Sequence, residues 1–428
     1  MKKFKLTPLE RSWVLYDIGN SAFILLVTTL VPIFFNALAS AAGLNEDLYL
    51  SYWGYAGSVA TILVAIIGPV CGAVSDQNFK KPIFLATALL GAVGCAALGF
   101  VSHWLIFLVV FVIARVGYSS SIVFYDAMLP EITTGERMDK VSSSGYAFGY
   151  IGSVIPFVLC LVLVLMPDRF GLTQGSAMTV AFLITAVWWL ACSVPLLKDY
   201  HQRAFVRREG SPIFDAFRQL GKTLREVRRE KHIFLFLLSF FFYIDGVYTI
   251  IDMATAYGAA LGLDTTGLLL ALLLTQIVAF PCSIAFGRLS SRFDTGFLIK
   301  ICIIAYTCII GFAIFMCSQW QFWVLAVAVG MFQGGVQALS RSYLGKIIPA
   351  EHSGEFFGLM DICGKGASFL GLILVSLVSQ LTAGVEVNLF GMPLQNENIA
   401  ICSLLVIFIV GYLLFDKADK LNKARVSV

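Results

Sequence analysis

Long runs of apolar residues follow one another along almost the whole chain, separated by short polar segments. A bilayer core about 30 Å thick is crossed by roughly 20 apolar residues in a helix, and the chain divides into about twelve such runs. With 59% hydrophobic and only 13% charged residues, the composition excludes a soluble globular chain. We expect an all-α integral membrane protein with twelve transmembrane helices, near residues 13–39, 49–74, 83–101, 104–128, 141–166, 177–197, 233–258, 265–288, 297–317, 321–344, 357–381 and 399–415.

Lys and Arg residues are concentrated in alternate loops of this arrangement. Such an excess marks cytoplasmic loops, and the opposite loops contain only Arg169. Both termini are therefore expected in the cytoplasm, and the net charge of +4 reflects topology rather than nucleic-acid binding. The basic residues on the cytoplasmic side are Lys2, Lys3, Lys5, Arg11, Lys80, Lys81, Arg137, Lys140, those of 198–231, Arg288, Arg292, Lys300, Arg341, Lys346 and the tail from Lys417 to Arg425.

The longest internal loop, Lys198 to Lys231, is rich in arginine and divides the spans six and six. Duplicated transporters have this arrangement. The stretch GAVSDQNFKK after span two resembles GRLSSRFDTG after span eight, and Asp17-x-x-Asn20-Ser21 in span one aligns with Asp245-x-x-Tyr248-Thr249 in span seven. We therefore expect two pseudo-symmetric six-helix halves, residues 1–197 and 233–428 with a short cytoplasmic tail, joined by a basic cytoplasmic linker at 198–232.

The loop after span two resembles the signature of the major facilitator superfamily, Gly-x-x-x-Asp-Arg-x-Gly-Arg-Arg. Its counterparts here are Gly72, Asp76, Lys80 and Lys81, while Gln77 replaces the first Arg and Phe79 the second Gly. The resemblance implies that Asp76 holds the cytoplasmic gate closed through the start of span eleven and nearby basic groups. In the second copy Ser291 stands where the Asp would be, which leaves one complete latch. The expected gating residues are Asp76, Lys80, Lys81, Arg292 and Arg341, the last at the cytoplasmic mouth.

A narrower resemblance extends over nearly the whole chain. The chain is similar to the facilitator branch named after the autophagy-related vacuole effluxer. The motifs are W-x-x-Y-D-x-x-N-S-A-F from Trp13, F-Y-D-A-x-L-P from Phe124, D-G-V-x-T from Asp245, Q-A-L-S-R-S from Gln337 and E-F-F-G from Glu355. The eukaryotic namesake is associated with amino-acid export from the vacuole, whereas prokaryotic relatives have mostly unassigned substrates. The resemblance thus implies the twelve-helix facilitator fold and transport, and leaves the solute open.

Polar residues recur within the first span. An ionised side chain at the bilayer centre costs about 2.5–3.5 kcal/mol on insertion scales, so such a residue should face a cavity, a partner or the transport pathway. Asp17, Asn20 and Ser21 lie on one stripe of a helix, which indicates a cavity or gate surface. The alternative is a packing role near the headgroups, because Thr7-Pro8-x-Glu10 reads as a capping box that begins the helix outside the membrane.

Span seven repeats the pattern closer to the midplane, with Asp245, Tyr248, Thr249 and Asp252 on one stripe. A carboxylate removed from water favours its neutral form, which is what a proton-coupling group needs. Coupling or solute contact is one interpretation of these residues. A structural hydrogen bond between helices is the other.

Spans four, ten and eleven add further candidates. Arg115, Ser119 and Asp126 share one stripe of span four, where the guanidinium is suited to a carboxylate or phosphate, or to a fixed ion pair with Asp17 or Asp126. The remaining candidates are Gln333 and Gln337 on span ten, and Asp361 and Lys365 on span eleven. Gln333 is equally suited to a bond across helices. Asp361 and Lys365 either neutralise each other or handle a ligand or proton.

Enzymatic and metal-dependent functions find no support in the residue pattern. The four histidines lie at or outside the expected membrane interfaces, the ten cysteines form no C-x-x-C pair, and no Gly-rich phosphate loop follows a strand. We expect no metal and no cofactor.

The favoured function is a secondary transporter in the cell membrane, the inner or plasma membrane of a prokaryote, acting as a monomer with the bilayer, a small-molecule substrate and a coupling proton as its partners. A small polar or zwitterionic solute, an amino acid or short peptide, suits the mixed charge of the candidate residues. The alternatives are an exporter of another anion, drug or lysolipid-like amphiphile, a transporter-like sensor and a membrane enzyme.

Overall fold

The computed structural model describes residues 4–44, 46–206, 225, 229–260, 262–316, 318–382, 387–389, 392–394 and 396–426. The first six long helices are α1 (Pro8–Ala41), α2 (Glu46–Val74), α3 (Lys80–Leu98), α4 (Trp104–Ile132), α5 (Gly135–Leu165) and α6 (Gln174–Asp199). Most of the expected linker at 198–232 lies outside the described residues. The later helices are α7 (Lys231–Ala260), α8 (Thr265–Leu289), α9 (Thr295–Ala313), α10 (Gln319–Ile347), α11 (Ser353–Leu381), α12 (Asn396–Cys402) and α13 (Leu404–Val426).

Short elements connect some of these helices. One turn of 3-10 helix covers Pro167–Phe170 and another Ala350–His352. A small antiparallel hairpin pairs β1 (Val387–Leu389) with β2 (Met392–Leu394), with Leu389 opposite Met392. Between α2 and α3 the chain turns at Ser75–Phe79.

The apolar helices account for the twelve expected spans. Within the described residues, ten apolar segments are long enough to cross a membrane. The segment Ser51–Leu98 contains two of the expected spans, α2 and α3. The remaining span is α11, whose apolar part is the shorter run Leu370–Leu381. The last segment, Asn398–Arg425, combines α12 and α13. Helix α11 begins at Ser353, before the run expected at 357–381, and the residues of its first turn bind Asp76 and Lys80.

The start of α1 confirms the capping box expected from the sequence. The Thr7 hydroxyl accepts the backbone N–H of Glu10 (3.3 Å), and the Glu10 carboxylate accepts the backbone N–H of Thr7 (2.7 Å). Pro8 occupies the first turn, where its missing N–H costs nothing. The helix therefore begins at Pro8, nine residues before Asp17.

The chain divides into two compact units. Unit 1 contains Met1–Thr134, Phe148–Leu220 and Pro349–Gly358, and unit 2 contains Gly135–Ala147, Gly221–Ile348 and Leu359–Val428. Inside unit 1, α1 packs on α6, α3 on α4 and α2 on α4. Inside unit 2, α7 packs on α13, α9 on α10 and α8 on α10. The pairings within unit 2 thus repeat those within unit 1 after a shift of six spans, as an internal duplication requires.

Candidate functional site

Asp76 lies in the turn after α2 and caps the first turn of α11 within unit 1. Its side chain is almost fully buried, and its two oxygens accept the backbone N–H groups of Gly354 (2.9 Å) and Glu355 (3.0 Å). These N–H groups have no partner inside their own helix, and the positive end of the helix dipole favours a carboxylate there. The contact with the start of span eleven that the resemblance implied for Asp76 is therefore present.

Lys80, at the first position of α3, lies fully buried between two carboxylates. Its ammonium donates to Glu131 Oε1 (2.6 Å) and to the Ser353 hydroxyl (2.9 Å), and it lies 3.7 Å from Asp76 Oδ1. A buried ammonium needs such partners, because an uncompensated charge away from water is costly. Asp76, Lys80, Glu131 and the start of α11 form one group, which we call the Asp76 network.

The segment after α6 is tied to this network through Glu131. Glu131 Oε2 accepts the backbone N–H of Arg203 (2.7 Å) and of Ala204 (3.1 Å), while Oε1 accepts the hydroxyl of Tyr200 (3.0 Å). Burial, and then the nearby Glu131 carboxylate, raises the pKa of Tyr200, so the phenol stays protonated and donates. The motifs and stripes recognised in the sequence do not include Glu131.

Two further bonds attach the same segment to the turn before α3. The Gln202 side chain accepts the backbone N–H of Lys80 (3.0 Å) and donates to the Ser75 carbonyl (3.0 Å). The backbone N–H of Val206 donates to the Asp76 carbonyl (2.8 Å). Residues 200–206, which follow α6 and which we call the strap, are thus hydrogen-bonded to the Asp76 network and to the turn before α3.

The other three expected gating residues, Lys81, Arg292 and Arg341, lie outside the Asp76 network. Lys81 is half-buried and Arg292 is exposed. Arg341 of α10 is buried within unit 2, where its guanidinium donates to the Ser142 hydroxyl (2.9 Å) and carbonyl (3.0 Å) and covers the ring of Tyr146 at 4.4 Å. Its guanidinium therefore binds the first turns of α5.

Unit 2 contains a second carboxylate-centred group that sequence reasoning missed. Asp139 of α5 is buried and accepts the Ser342 hydroxyl (2.6 Å), the Thr295 hydroxyl (2.8 Å) and the Lys346 ammonium (2.6 Å). We call these four residues the Asp139 cluster. Ser291, where the repeat lacks an Asp, is exposed. In this second group the acid, Asp139, lies near the start of α5 and not in the loop that contains Ser291. The sequence signal for the group was the i, i+4 spacing of Ser342 and Lys346, which places both residues on one face of α10.

The expected stripe on α1 lies in unit 1 against α4. Asp17 is 6% exposed; its Oδ2 accepts the Tyr125 hydroxyl (3.1 Å) and its Oδ1 the Asn20 amide (3.5 Å). Asn20 also donates to the Tyr16 carbonyl (3.1 Å), and Ser21 is half-buried. The ring of Tyr125 stacks on Trp13 with 4.3 Å between centroids. A rigid aromatic support thus holds the hydroxyl that binds Asp17.

The candidate residues on α4 belong to the same unit. Ser119 is buried, while Arg115 and Asp126 are half-buried, and all three interact with other residues. A second tie between α1 and α4 is the bond from the Tyr16 hydroxyl to the Ser121 hydroxyl (2.7 Å). Unit 1 therefore packs α1 on α4 through hydrogen bonds from Tyr16 to Ser121 and from Tyr125 to Asp17.

In unit 2 the stripe on α7 faces α11. Asp245 and Thr249 are fully buried, and Asp245 Oδ1 accepts the backbone N–H of Gly371 (3.0 Å). Tyr248 is half-buried and Asp252 is exposed. The hydroxyls of Tyr243 and Ser340 lie 2.7 Å apart and join α7 to α10, as Tyr16 and Ser121 join α1 to α4.

The candidates on α10 and α11 are also in unit 2. Gln333 is buried, and Gln337 and Asp361 are half-buried. The side chain of Lys365 lies outside the described part of the structure, so the expected pair with Asp361 stays a prediction.

Among the described residues, one group could offer ligand atoms to a metal ion: Asp76, His352 and Glu355, whose ligand atoms lie within 4.8 Å of one another. Asp76 already accepts two backbone N–H groups, and the Lys80 ammonium lies 3.7 Å away. A second cation would be repelled by that ammonium. The geometry is that of a capped helix and an ion pair.

Comparison with known proteins adds sequence and fold relationships. Residues 45–425 match the family described as vacuole effluxer Atg22 like. An uncharacterized MFS-type transporter of Bacillus subtilis, YxiO, is 38% identical over 417 residues, covering 96% of this chain and 94% of the relative. Autophagy-related protein 22 of Coccidioides immitis is 23% identical over 416 residues, covering 77% of this chain and 68% of the relative.

Solved structures of low sequence identity share the fold. The human organic anion transporter MFSD10 superposes with a TM-score of 0.73 at 15% identity, covering 95% of this chain and 99% of that one. The facilitator FucP in its outward conformation gives a TM-score of 0.71 at 14% identity, covering 96% and 98%. The expected fold class, twelve helices in the facilitator fold, is confirmed.

Proposed function

Because this chain belongs to the vacuole effluxer Atg22-like family of major facilitator transporters, we propose that it moves a small polar or zwitterionic solute, with an amino acid or short peptide as the favoured class. The family makes it a multi-pass membrane transporter and not an enzyme. Facilitators work by alternating access, in which a central site opens to one side of the membrane and then to the other.

The observation that carries the choice of solute is the buried polar surface of α1 and α4. Asp17 accepts hydrogen bonds from Tyr125 and Asn20 and contributes an acidic side chain to this surface. Arg115 on α4 supplies a planar guanidinium, which pairs with a carboxylate through two parallel hydrogen bonds. An acid and a guanidinium on neighbouring helices suit a solute that carries both an ammonium and a carboxylate.

A proton is the proposed coupling ion. Asp245 provides a buried carboxylate on α7, and a facilitator that exchanges a proton there can use the proton gradient to accumulate or expel solute. The likeness to the proton:xylose symporter XylE, with a TM-score of 0.67 at 12% identity, concerns the fold alone.

The test is counterflow in proteoliposomes. Vesicles containing the purified protein are loaded with one unlabelled candidate and diluted into a trace of the same compound in labelled form. We expect label to enter vesicles loaded with an amino acid or a short peptide, and protein-free vesicles to give the background. Counterflow restricted to organic anions or lysolipids would contradict the solute class, and its absence across all classes would contradict transport of small solutes.

A further inference from the structure

Helix α4 keeps one narrow face partly exposed along the middle of its length. Within residues 114–129 every residue is buried except Arg115, Tyr118, Ile122 and Asp126. Their spacing of i, i+3, i+7 and i+11 places these four residues on one stripe of the helix. The rest of this stretch is covered, since α4 packs on α1, α2 and α3 within unit 1. The stripe, which we call the α4 stripe, is therefore the surface that this part of α4 offers to a solute.

The two ends of the α4 stripe carry opposite charges, and uncharged residues lie between them. Arg115 supplies a guanidinium at one end and Asp126 a carboxylate at the other. In the middle, the ring of Tyr118 lies 5.1 Å from that of Phe23 and 5.8 Å from that of Trp189, measured between centroids, so neighbouring helices support it. Ionised side chains are costly against hydrocarbon, so this face suits a polar ligand and not lipid.

Helix α1 adds a second acid near the acidic end of the α4 stripe. Asp17 and Asp126 both act electrostatically on the hydroxyl of Tyr16, which is fully buried. Asp17 also accepts the hydroxyl of Tyr125, the residue before Asp126 (3.1 Å). A cationic group of a solute thus meets two acids at this end, whereas the guanidinium of Arg115 suits a carboxylate at the other.

The distance between the charged ends sets the length of a solute that can reach both. Arg115 and Asp126 are eleven residues apart, which is about 16 Å along the axis at 1.5 Å per residue. Helical side chains tilt toward the N-terminus, so both charged groups are displaced in the same direction. Hydrogen bonds of about 3 Å at each end leave roughly 10 Å for the solute. An extended chain of about three residues spans that distance, and a free amino acid does not.

We propose that the α4 stripe binds a zwitterionic peptide of about three residues, with its carboxylate at Arg115 and its ammonium at Asp126 and Asp17. These three side chains have other interactions in this structure, which the peptide replaces. Tyr118 and Ile122 contact the middle of the peptide, where neither offers a charge that would select one side chain over another. The inference rests on the proposed function and narrows it, because the stripe selects a solute by the distance between its two charges.

The first test is calorimetric titration of the purified protein in detergent with alanine, dialanine, trialanine, tetraalanine and pentaalanine. We expect trialanine to bind most tightly and alanine about tenfold more weakly or worse, because alanine leaves one charged end without its hydrogen bonds. Trialanine with an amidated C-terminus or an acetylated N-terminus should lose a similar factor. Alanine that binds as tightly as trialanine, or a series in which nothing binds, would overturn the proposal.

Two substitutions assign the ends of the peptide. Arg115→Gln should weaken binding of trialanine and leave the affinity for the amidated form unchanged, because that form has no carboxylate. Asp126→Asn should weaken trialanine and leave the acetylated form unchanged. The matched control is Asp168→Asn, in the exposed turn Pro167–Phe170, which should bind trialanine as the wild type does. Equal weakening of all three compounds by both variants would contradict the assignment. The wild-type length series stays decisive if a variant fails to fold.

Counterflow separates this inference from the proposed function. If amino acids exchange as fast as trialanine or faster, transport of small zwitterions stands and selection by length fails. If no amino acid or peptide exchanges, the proposed function fails, while the calorimetric series still decides whether the α4 stripe binds a peptide.

Discussion

At the scale of single residues, the polar groups inside this protein are positioned by a few hydrogen bonds from aromatic side chains. Tyr125 is fully buried, stacks on Trp13 and donates to Asp17. Tyr16 is also fully buried and donates to Ser121. Because an aromatic ring has few rotatable bonds and packs on a large area, its hydroxyl is a fixed donor. The orientation of Asp17 thus depends on packing as well as on its own helix.

Removing the hydroxyl of Tyr125 should destabilise the protein. Tyr125→Phe keeps the stacking on Trp13 but leaves Asp17 without one donor, which costs about 1–3 kcal/mol for a buried charged acceptor. The measurement is thermal unfolding in detergent, and the matched control is Tyr55→Phe at an exposed tyrosine. Equal melting temperatures for the two variants would contradict the role of Tyr125.

Arg115→Lys tests the solute contact on α4. The change keeps the charge but loses the planar guanidinium, so counterflow should fall while the protein still folds. The measurement is the initial rate in proteoliposomes with matched protein content. A rate equal to wild type would remove Arg115 from the pathway and leave it with a structural ion pair.

At the scale of elements, the helix starts and the segments between helices hold the polar networks. Asp76 caps α11, Glu131 binds the backbone of the strap, and Asp139 binds side chains of α9 and α10. The start of α11 also lies very close to the end of α2 and the turn after it. A Cβ on Gly354 would collide with the Gly72 carbonyl and the Ser75 hydroxyl, so α11 can reach Asp76 only with glycine there. Backbone N–H groups therefore take part in these networks together with side chains.

Asp76→Asn should weaken the cap on α11. The amide side chain has one acceptor oxygen and loses the charge, so one of the two N–H groups at Gly354 and Glu355 loses its partner. As the resemblance to the facilitator signature implies a gating role, we expect altered labelling of cysteines introduced along the inner cavity, with expression nearly unchanged. Unaltered labelling at several positions would count against that role.

Glu131→Gln should release the strap. Glu131 Oε2 accepts two backbone N–H groups, and a neutral amide presents one oxygen to all the donors that Glu131 now serves. We expect faster tryptic cleavage after Arg203 in the variant. The control is Glu351→Gln, at an exposed glutamate, and the same cleavage rate in both would show that Glu131 does not hold the strap.

At the scale of the whole molecule, the internal duplication organises both units. The order of helix pairs within unit 1 recurs within unit 2, and so does a Tyr–Ser bond between the first and fourth span of each repeat. The two buried acids do not occupy matching positions, since Asp76 lies in the turn after α2 and Asp139 lies near the start of α5. The repeat therefore conserves packing more closely than it conserves the chemistry of individual positions.

Topology is a prediction at this scale. The distribution of Lys and Arg predicts that a reporter fused within 198–231 lies in the cytoplasm and that one within 382–398 lies outside. Paired alkaline phosphatase and fluorescent protein fusions measure this. Opposite signals at the two sites would reverse the orientation.

The amino-acid sequence by itself determined the number of membrane-crossing helices, their approximate ends and the capping box before α1, and the resemblance to the facilitator signature implied the contact of Asp76 with the start of span eleven. These features depend on local hydrophobic length, short motifs and family resemblance. Only the tertiary structure decided which partner each buried polar group takes. Asp139 binds Lys346, 207 residues later, Glu131 binds backbone N–H groups, which every residue except proline carries, and Asp245 accepts the backbone N–H of Gly371. Such choices depend on which helices come into contact, and residue types along one helix do not encode them.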